Sequence, residues 1–516
     1  MRSLRTLLFL IAVAGLSLLA TALVLRLPGA AALLSNADAL YLPALFDDLR
    51  GGLGALAGWH LTPGPYVFPD MLVYGLADLL ASGFRQAIGL NAALQLGLFL
   101  LLGVAVHRVA GGRAPGLAVG ALAAILAALF AFGIGVAGPY ALNWLVYPVL
   151  TTFHFGAILV AAAALALLLR QIDRPGPWPL LGLAVLILAG VLSDSFVLPY
   201  AAAPALALVL AMLPDPRARR AAAAAVVVVG GAALAAFLLQ DVVNPLNAVY
   251  RRQLDVGIGY GLSRLGGVLW PDAGAERAVN LGLIAFTLLP VARAAVVLAR
   301  MATGQRQPPD AADRIAIFVA ASSLATLAAV VLFGIFRDPS FLRYFQPWLF
   351  LTALWLAHLA ATRLRRLAWP AGAALALVLA AGAAAWVRPA QLSRAIEPPP
   401  TLACFDRPAA GLAGYWLAKP LVLQSGGRVQ VAQVARNGAP YHWIINEDWA
   451  RRDRSGRGAP TFSFILMDGL NARAVIARYG MPDRVDHCAG IPLWRYDDPD
   501  RLRRPLARAV PVTLPD

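Results

Sequence analysis

Long apolar runs recur along the first three quarters of the 516-residue chain and constrain its fold more than any other feature. Several of these runs reach the roughly 20 residues that an α-helix needs to cross a bilayer core about 30 Å thick. Only 14% of the residues are charged, whereas a soluble domain averages about 25%. The sequence therefore predicts a mainly α-helical, polytopic membrane protein whose spans form a transmembrane bundle.

The spacing of the apolar runs predicts about eleven spans in residues 1–390. Arg2 and Arg5 precede the first run, so the positive-inside rule places the N-terminus in the cytoplasm. With that start, each loop predicted to lie inside is rich in Arg, and an odd number of crossings leaves the C-terminal residues outside. The predicted spans cover about 7–25, 87–106, 115–135, 153–169, 179–194, 196–213, 221–238, 278–298, 315–335, 346–362 and 368–386.

The net charge of +16 follows from the same rule. A basic excess of this size in a soluble protein suggests nucleic-acid binding. Here most Arg residues lie in short loops between apolar runs, where a membrane protein carries them on its cytoplasmic side. We therefore expect membrane lipids as partners and no nucleic acid.

The first outer loop, residues 26–86, is the longest polar segment in the first third of the chain. Two apolar stretches within it, at about 39–49 and 70–84, are shorter than a membrane span. We interpret both as juxtamembrane helices that lie at the membrane surface, joined by the turn LTPGPYVFP.

The composition changes near residue 391, where short alternating runs replace the long apolar ones. Residues 391–516 are expected to form a small α+β domain on the outer side of the membrane. A Gly-Gly turn at 426–427, between LVLQ and RVQV, predicts a β-hairpin, and NARAVIARYG predicts a short helix that ends at Gly480. The two cysteines, Cys404 and Cys488, both lie in this domain, and an outer location predicts that they form a disulfide.

Carboxylates of the first outer loop are the candidate catalytic groups. A transferase that acts on a hydroxyl, amine or lipid acceptor needs a base for the acceptor's proton. Asp38 lies shortly after the first span and ahead of Tyr41, a candidate substrate contact, and Asp70 opens the second juxtamembrane stretch. Asp38 and Asp70 also fit helix N-caps, so a purely structural role stays open. Asp47 and Asp48 are more typical of a solvated helix face.

Four further residues at predicted outer ends of spans are candidate binding residues. Arg343 can bind a phosphate through two parallel hydrogen bonds, and Tyr344 follows it. His154 and Asp194 are ionisable groups near membrane depth, where such groups are functional candidates. The alternative for Arg343 and Tyr344 is an interfacial anchor, and the alternative for His154 and Asp194 is a structural role at a helix end.

Several chemistries lack a sequence signal. Histidine occurs six times, and neither HExxH nor CxxC is present, so no dedicated transition-metal site is expected, although a divalent cation stays possible. There is no Walker A motif and no GxGxxG between a strand and a helix, which argues against ATP-driven transport and nucleotide cofactors. No GxSxG motif occurs either. We expect no cofactor.

The order of these parts resembles the GT-C class of membrane glycosyltransferases, which use polyprenyl-phosphate sugars as donors. The resemblance is carried by the acid-bearing loop after the first span, by FRQAIGLNAALQLGLFLLLGVAVHRVAG at 84–111 and by RYFQP at 343–347. About eleven spans followed by an outer domain fit the same class. The resemblance implies that Asp38 is the catalytic carboxylate and that Arg343 contacts a phosphate.

The chain departs from the GT-C pattern at two points. Many members have an Asp-Glu pair where this chain has Asp38 followed by Ala39. The Pro-Pro pair that usually opens the second juxtamembrane helix is replaced by Phe68, Pro69 and Asp70. Either Asp70 supplies the second carboxylate, or the scaffold has lost the chemistry.

The resemblance thus implies an inverting glycosyltransferase of a bacterial inner membrane that acts at the periplasmic face. It would move a hexosyl or pentosyl group from a polyprenyl-phosphate donor to a glycan, lipid or protein of the cell envelope. Two alternatives remain at this point: a non-catalytic envelope assembly or binding protein, and a lipid or solute transporter. No convincing internal repeat is present, which argues against the transporter.

Overall fold

The computed structural model describes residues 2–25, 29–51, 58–243, 258–303, 308–336, 338–363, 396, 398–453 and 458–506. Most of these residues are helical, and a small mixed sheet lies in the C-terminal quarter. The expected fold class, mainly α with a small C-terminal α+β part, is confirmed.

Nineteen α-helices lie within the described ranges, and most of the long ones are rich in Ala, Leu and Val, as expected for helices that are apolar on all sides. In chain order they are α1 (Arg2–Leu25), α2 (Ala30–Leu34), α3 (Tyr41–Gly51), α4 (Leu72–Leu80), α5 (Phe84–Val109), α6 (Pro115–Ala137), α7 (Leu142–Leu145), α8 (Phe155–Asp173), α9 (Pro177–Ser193), α10 (Ala203–Met212), α11 (Arg219–Val243), α12 (Ile258–Leu269), α13 (Gly274–Ala302), α14 (Ala311–Leu332), α15 (Gln346–Arg363), α16 (Tyr415–Gln424), α17 (Asp448–Arg451), α18 (Ala472–Tyr479) and α19 (Asp500–Leu506).

Six helical segments of the described chain are long and apolar enough to cross a membrane, fewer than the eleven spans expected. Of the other five expected spans, those at 7–25, 179–194 and 196–213 contain only shorter apolar helical stretches. The one at 346–362 is a helix that is not among the six, and the one at 368–386 lies outside the described residues. The six segments are Phe84–Val109, Pro115–Leu145, Phe155–Asp173, Arg219–Val243, Gly274–Ala302 and Ala311–Leu332.

The first outer loop contains two short helices. α3 has 11 residues and α4 has 9, both well below the roughly 20 that a span requires. Before α3, the Asn36 side chain accepts a hydrogen bond from the Ala39 N–H at 2.8 Å. Asn36 therefore orders the turn that precedes α3, and the carboxylate of Asp38 contacts another residue described below.

The chain forms two compact units, and each combines segments that are distant in sequence. The helical unit comprises Met1–Gly29, Pro63–Ala77 and Gly89–Leu392. The mixed unit comprises Ala30–Thr62, Asp78–Ile88 and Ser393–Asp516, so parts of the first outer loop pack with the C-terminal residues.

Helix α8 is the most enclosed helix of the helical unit. Fifteen of its residues are buried, and most of them are Ala, Leu, Val or Ile. Small and branched side chains on every face allow α9, α11, α14 and α15 to pack closely around it. Because His154 directly precedes α8 and Asp194 directly follows α9, this packing brings two ionisable side chains to one end of the unit.

A five-stranded sheet forms the centre of the mixed unit, in the order β3-β2-β5-β7-β6. The strands β2 and β3 run parallel, as do β2 and β5, whereas β7 is antiparallel to both β5 and β6. A separate two-stranded ladder pairs β1 with β4. The strands are β1 (Trp59–His60), β2 (Ala409–Gly414), β3 (Val429–Val434), β4 (Ile445–Asn446), β5 (Phe462–Leu466), β6 (Arg484–Cys488) and β7 (Ile491–Arg495).

The expected β-hairpin around 426–427 is wrong. LVLQ is the end of helix α16, which connects the parallel strands β2 and β3 and packs on β3. Gly426 and Gly427 have φ of 62° and 79°, a left-handed conformation that ends a helix as readily as it turns a hairpin. The short helix expected after Asn471 is confirmed: the Asn471 side chain accepts from the Ala474 N–H at 3.1 Å, and Gly480 follows the helix with φ 81°.

Cys404 and Cys488 form a disulfide, as the sequence predicts. The bond joins the turn at the start of the C-terminal segment to the end of strand β6, 84 residues later. It therefore closes most of the mixed sheet into one covalent loop.

Candidate functional site

Two ionisable side chains meet at the ends of helices α8 and α9. His154 Nδ1 lies 2.8 Å from Asp194 Oδ2, and since a carboxylate can only accept, Nδ1 carries the proton. The second oxygen, Asp194 Oδ1, accepts from the Phe196 N–H at 2.9 Å. Both residues are less than a tenth exposed. This hydrogen bond fixes the orientation of the imidazole and leaves Nε2 as the ring nitrogen that does not contact Asp194.

The backbone around this pair adopts an unfavourable conformation at three residues. Tyr66, Phe153 and His154 have φ of 55°, 77° and 70°, values that L residues rarely adopt. Tertiary hydrogen bonds hold them: the Tyr66 N–H donates to the Ser193 carbonyl at 3.1 Å, and Gln346 Nε2 donates to the Phe153 carbonyl at 2.7 Å. Strain of this kind, of order 1–3 kcal/mol per residue, concentrates at functional sites.

Asp70 is buried beside the same pair, with 1% of its surface exposed. Its carboxyl group lies against Gly156 at the N-terminus of α8, where a Cβ atom would overlap with Oδ2. Burial and the nearby charge of Asp194 raise the pKa of Asp70 well above its usual range, although backbone N–H groups of Asp70 and Gly156 act the other way. A raised pKa favours the protonated form of this buried carboxyl group.

Arg343 is half-buried in a set of aromatic rings. Its guanidinium carbon lies 4.7 Å from the ring centre of Phe341, 5.0 Å from that of Tyr344 and 5.5 Å from that of Phe153. Nη2 also donates to the Tyr344 hydroxyl at 3.3 Å. Cation–π contacts of this kind hold a guanidinium in place.

Tyr344 connects Arg343 to the ionisable pair. Its ring stacks on Phe196 with the centroids 4.5 Å apart and an interplanar angle of 10°. The His154 ring lies 5.2 Å from it. Five of the candidate residues expected from the sequence, Asp70, His154, Asp194, Arg343 and Tyr344, therefore form one cluster in the helical unit, which we call the arginine cluster.

The remaining candidate carboxylate, Asp38, lies in the mixed unit. Its Oδ1 accepts a short hydrogen bond from the Tyr415 hydroxyl. Lys419 is fully buried next to this pair, with Nζ 4.3 Å from the Tyr415 ring centre and 2.7 Å from the Ile444 carbonyl that it donates to. Burial lowers the pKa of Lys419 to about 7, although the charge of Asp38 opposes the effect. Burial and Asp38 also raise the pKa of Tyr415 well above 10.

Tyr41, the candidate substrate contact, lies in the interior of the mixed unit. None of its surface is exposed, and its ring centre is 6.0 Å from that of Trp59. This position is that of a packing residue, with no surface open to a ligand.

The interpretation of Asp48 as part of a solvated helix face is wrong. Asp48 has no exposed surface and accepts from Asn446 Nδ2 at 2.9 Å and from Trp449 Nε1 at 2.9 Å. Asp47, its neighbour, is 37% exposed at the side chain, as expected for a solvated residue. The helical spacing of α3 places Asp48 on the buried face, and the C-terminal residues supply the donors that a buried carboxylate needs.

Comparisons with known proteins give similar solved structures but no matching family. No protein-family model matches the chain, and no curated protein matches it significantly. Two solved structures of ArnT from Cupriavidus metallidurans are similar to this chain. The structure bound to undecaprenyl phosphate has a TM-score of 0.44 and 16% sequence identity, covering 82% of this chain and 85% of that chain. The apo structure has a TM-score of 0.45 and 15% identity, covering 91% and 94%. At this level the likeness assigns no activity to the chain.

Three residues next to the candidate groups carry no signal in the sequence. Tyr66 lies in the turn before Asp70, and Tyr415 and Lys419 lie some 380 residues after Asp38 in the chain. Lys419 is the one lysine of the sequence, which is the sole feature that singles it out. Tertiary packing alone brings Tyr415 and Lys419 to Asp38, whereas Tyr66 is close to Asp70 in the chain.

The arginine cluster combines a fixed cation, an oriented imidazole and a buried carboxyl group. A guanidinium held by aromatic rings binds phosphate oxygens and, unlike an ammonium, can do so through two parallel hydrogen bonds. An imidazole whose Nδ1–H is held by a carboxylate accepts a proton at Nε2. The chemistry that these groups support is the binding of a phosphate and the movement of a proton.

Proposed function

We propose that the chain is a membrane glycosyltransferase that takes a hexosyl or pentosyl group from a polyprenyl-phosphate donor. The observation that carries the proposal is Arg343, whose charged guanidinium is held against aromatic rings next to the His154–Asp194 pair and Asp70. A phosphate attached to a membrane lipid is the anion expected at the outer end of a membrane helix. The acceptor would be a glycan or lipid of the cell envelope.

The reaction would proceed with inversion. An acceptor oxygen or nitrogen attacks the anomeric carbon of the sugar and forms the new glycosidic bond, while the bond from that carbon to the phosphate oxygen breaks. The polyprenyl phosphate leaves with the bonding electron pair, and Arg343 stabilises the charge that develops on it. The acceptor's proton passes to a carboxylate of the protein.

Asp38 is the proposed base and Asp70 the proposed positioning residue. The Asp38 carboxylate is half-buried and so can meet an acceptor, and the Tyr415 hydroxyl already orients it. Asp70 is almost fully buried, so its expected part is to set the charge around His154 and Asp194. His154, oriented by Asp194, is a second proton acceptor that the same cluster offers.

The proposed location is a bacterial inner membrane, with the N-terminus in the cytoplasm and residues 391–516 in the periplasm. The Arg-rich loops predicted to lie inside support this orientation. The Cys404–Cys488 disulfide supports it independently, because disulfides persist in the periplasm and are rare in the cytosol.

A transfer assay with a radiolabelled polyprenyl-phosphate sugar and isolated envelope acceptors tests the proposal. We expect Asp38→Asn to lower the transfer rate by roughly 10²–10⁴-fold, the usual effect of removing a general base. Asp406→Asn and Asp272→Asn remove exposed carboxylates from the mixed and helical units, and both should keep the full rate.

The Asp70→Asn variant distinguishes the role of Asp70 from that of Asp38. As a positioning residue it should change the pH profile of transfer and retain more activity than Asp38→Asn. Full activity of Asp38→Asn would remove that residue from the mechanism. If the wild-type chain transfers no sugar but moves labelled lipid or solute across proteoliposomes, the enzyme proposal is wrong and the transporter alternative is correct.

A further inference from the structure

A group of three metal-binding side chains lies in the mixed unit, away from the Asp38–Tyr415 pair. It consists of His60, His442 and Glu447, whose ligand atoms all lie within 4.8 Å of one another. The sequence shows no metal motif because the first ligand is separated from the other two by almost 400 residues.

The β1–β4 ladder fixes two of the three ligands. His60 is paired with Ile445 across the ladder, and the Glu447 N–H donates to the Gly58 carbonyl at 2.9 Å. Trp59, next to His60, packs edge-on against Trp449 with the centroids 6.2 Å apart. Backbone pairing and aromatic packing thus determine where the imidazole and the carboxylate lie.

The ligand atoms of the three side chains lie somewhat farther apart than they would around a bound ion. His60 Nε2 lies 3.7 Å from Glu447 Oε2, and the rings of His60 and His442 are 4.7 Å apart between centroids. Ligand atoms around a tetrahedral Zn²⁺, with bonds of about 2.0–2.1 Å, are separated by roughly 3.3 Å. A small rotation of the side chains therefore closes the group around an ion.

A second residue holds the Glu447 carboxylate on the side away from His60. Arg451 Nη1 donates to Glu447 Oε1 at 2.8 Å, which orients the carboxylate and leaves Oε2 facing His60. A partner of this kind behind a ligand is typical of metal centres. All three ligand residues are partly exposed, so an ion can enter from solvent.

We propose that His60, His442 and Glu447 form a zinc-binding site that ties the 58–60 segment to the 442–447 segment of the mixed unit. Two imidazoles and one carboxylate are a ligand set that zinc proteins use, and the fourth position is filled by water. A bound ion would add to the ladder and the Glu447–Gly58 hydrogen bond that already join these two segments, and the water-filled fourth position leaves one coordination site open. The proposal is independent of the glycosyltransferase function.

Metal analysis of the full-length chain, purified in detergent with a tag that lacks histidine, tests this proposal. The protein is loaded with Zn²⁺, dialysed against metal-free buffer and analysed by mass spectrometry of its metal content. We expect about one zinc per wild-type chain, and at least a tenfold lower content for His442→Ala and for Glu447→Gln. His487→Ala, which removes an exposed imidazole of the same unit, should bind as much zinc as wild type.

Two further measurements keep the result independent of folding defects in the variants. Co²⁺ in place of Zn²⁺ should give the visible absorption of a tetrahedral site in wild type, and zinc should raise the wild-type unfolding midpoint because it binds only the folded chain. A wild-type chain that keeps no zinc and gains no stability from it would overturn the proposal. Equal zinc content in wild type, His442→Ala and Glu447→Gln would overturn it as well, since the metal would then be adventitious.

Discussion

At the scale of single residues, the fully buried side chain of Lys419 carries a desolvation cost when it is protonated. It donates to the Ile444 carbonyl at 2.7 Å and lies over the Tyr415 ring, but no carboxylate pairs with it directly at hydrogen-bond distance among the described residues. Burial lowers its pKa to about 7, from 10.5 in a solvated lysine. The position next to the Asp38–Tyr415 pair means that a charge near the proposed base changes with pH.

Lys419→Met should flatten the dependence of stability on pH. Between pH 7 and 10.5 the unfolded chain holds the lysine proton and the folded chain releases it, so wild-type stability rises with pH across that window. Below pH 7 the loss of folding stability caused by burying the protonated lysine is constant, on the order of 5 kcal/mol. Unfolding midpoints of the full chain from pH 7 to 10 measure the effect, with Arg503→Met, an exposed cation, as the control. The same slope in wild type and Lys419→Met would contradict the assignment.

Gly156 is the residue that allows Asp70 to reach the N-terminus of α8. A Cβ atom there would overlap with Asp70 Oδ2, and the carboxyl group has no space to retreat in a close-packed interior. We expect Gly156→Ala to destabilise the protein by about 1–3 kcal/mol and to lower transfer activity together with it. Gly135→Ala is the matched control, because a Cβ at Gly135 meets no atom within 4 Å. Wild-type stability and activity in Gly156→Ala would show that Asp70 does not depend on this contact.

At the scale of elements, the Cys404–Cys488 disulfide is the strongest constraint on the mixed unit. A bond that closes 84 residues restricts the unfolded chain and contributes roughly 4 kcal/mol in the loop-entropy description. We expect the Cys404→Ser/Cys488→Ser double variant to be cleaved by trypsin within residues 398–506 many times faster than wild type. Wild type treated with a reductant should behave like the variant. Equal cleavage of the oxidised wild type and the variant would show that the sheet does not need the bond.

The elements that the sequence predicts well are those determined by local patterns. Apolar runs place the long helices to within a few residues, and the Asn471 cap with Gly480 marks the short helix α18. LVLQ is misassigned because a short apolar run before a Gly-Gly turn fits the end of a helix as well as a strand. Burial across the mixed unit, not local spacing, decides that it is helical.

The sequence predicts those candidate site residues that lie at the ends of membrane spans. It does not predict contacts between segments that are distant in the chain. Arg343, His154 and Asp194 stand out because ionisable residues are rare near membrane depth. The contacts of Asp48 and of Asp38 come from residues almost 400 positions away, and no local pattern encodes such pairs.

At the scale of the whole molecule, the helical unit carries an apolar exterior that suits lipid. Large hydrophobic side chains are exposed along α9, α11 and α13, among them Val185, Leu238 and Leu288, each more than half exposed. A soluble protein buries most such side chains, so these faces are expected to contact acyl chains. The basic loops then decide which end of each helix lies inside.

Reporter fusions test that orientation. An enzyme that is active only outside the cytoplasm should be active when fused after residue 506 and inactive when fused in the loop after α13, near residue 303. A reporter that is active only inside should give the opposite pattern. Activity at both fusion points, or the reverse assignment, would contradict the proposed orientation and with it the periplasmic location of the disulfide domain.

Binding of a polyprenyl phosphate to the purified chain tests the central claim most directly. Native mass spectrometry with added lipid gives the dissociation constants of wild type and Arg343→Gln, with Arg300→Gln, an exposed cation of the same unit, as the control. A charge-assisted hydrogen bond contributes roughly 1.5–3 kcal/mol, so we expect Arg343→Gln to bind about 10- to 150-fold more weakly than wild type, while Arg300→Gln binds equally. Equal affinity of wild type and Arg343→Gln for the lipid would contradict the account.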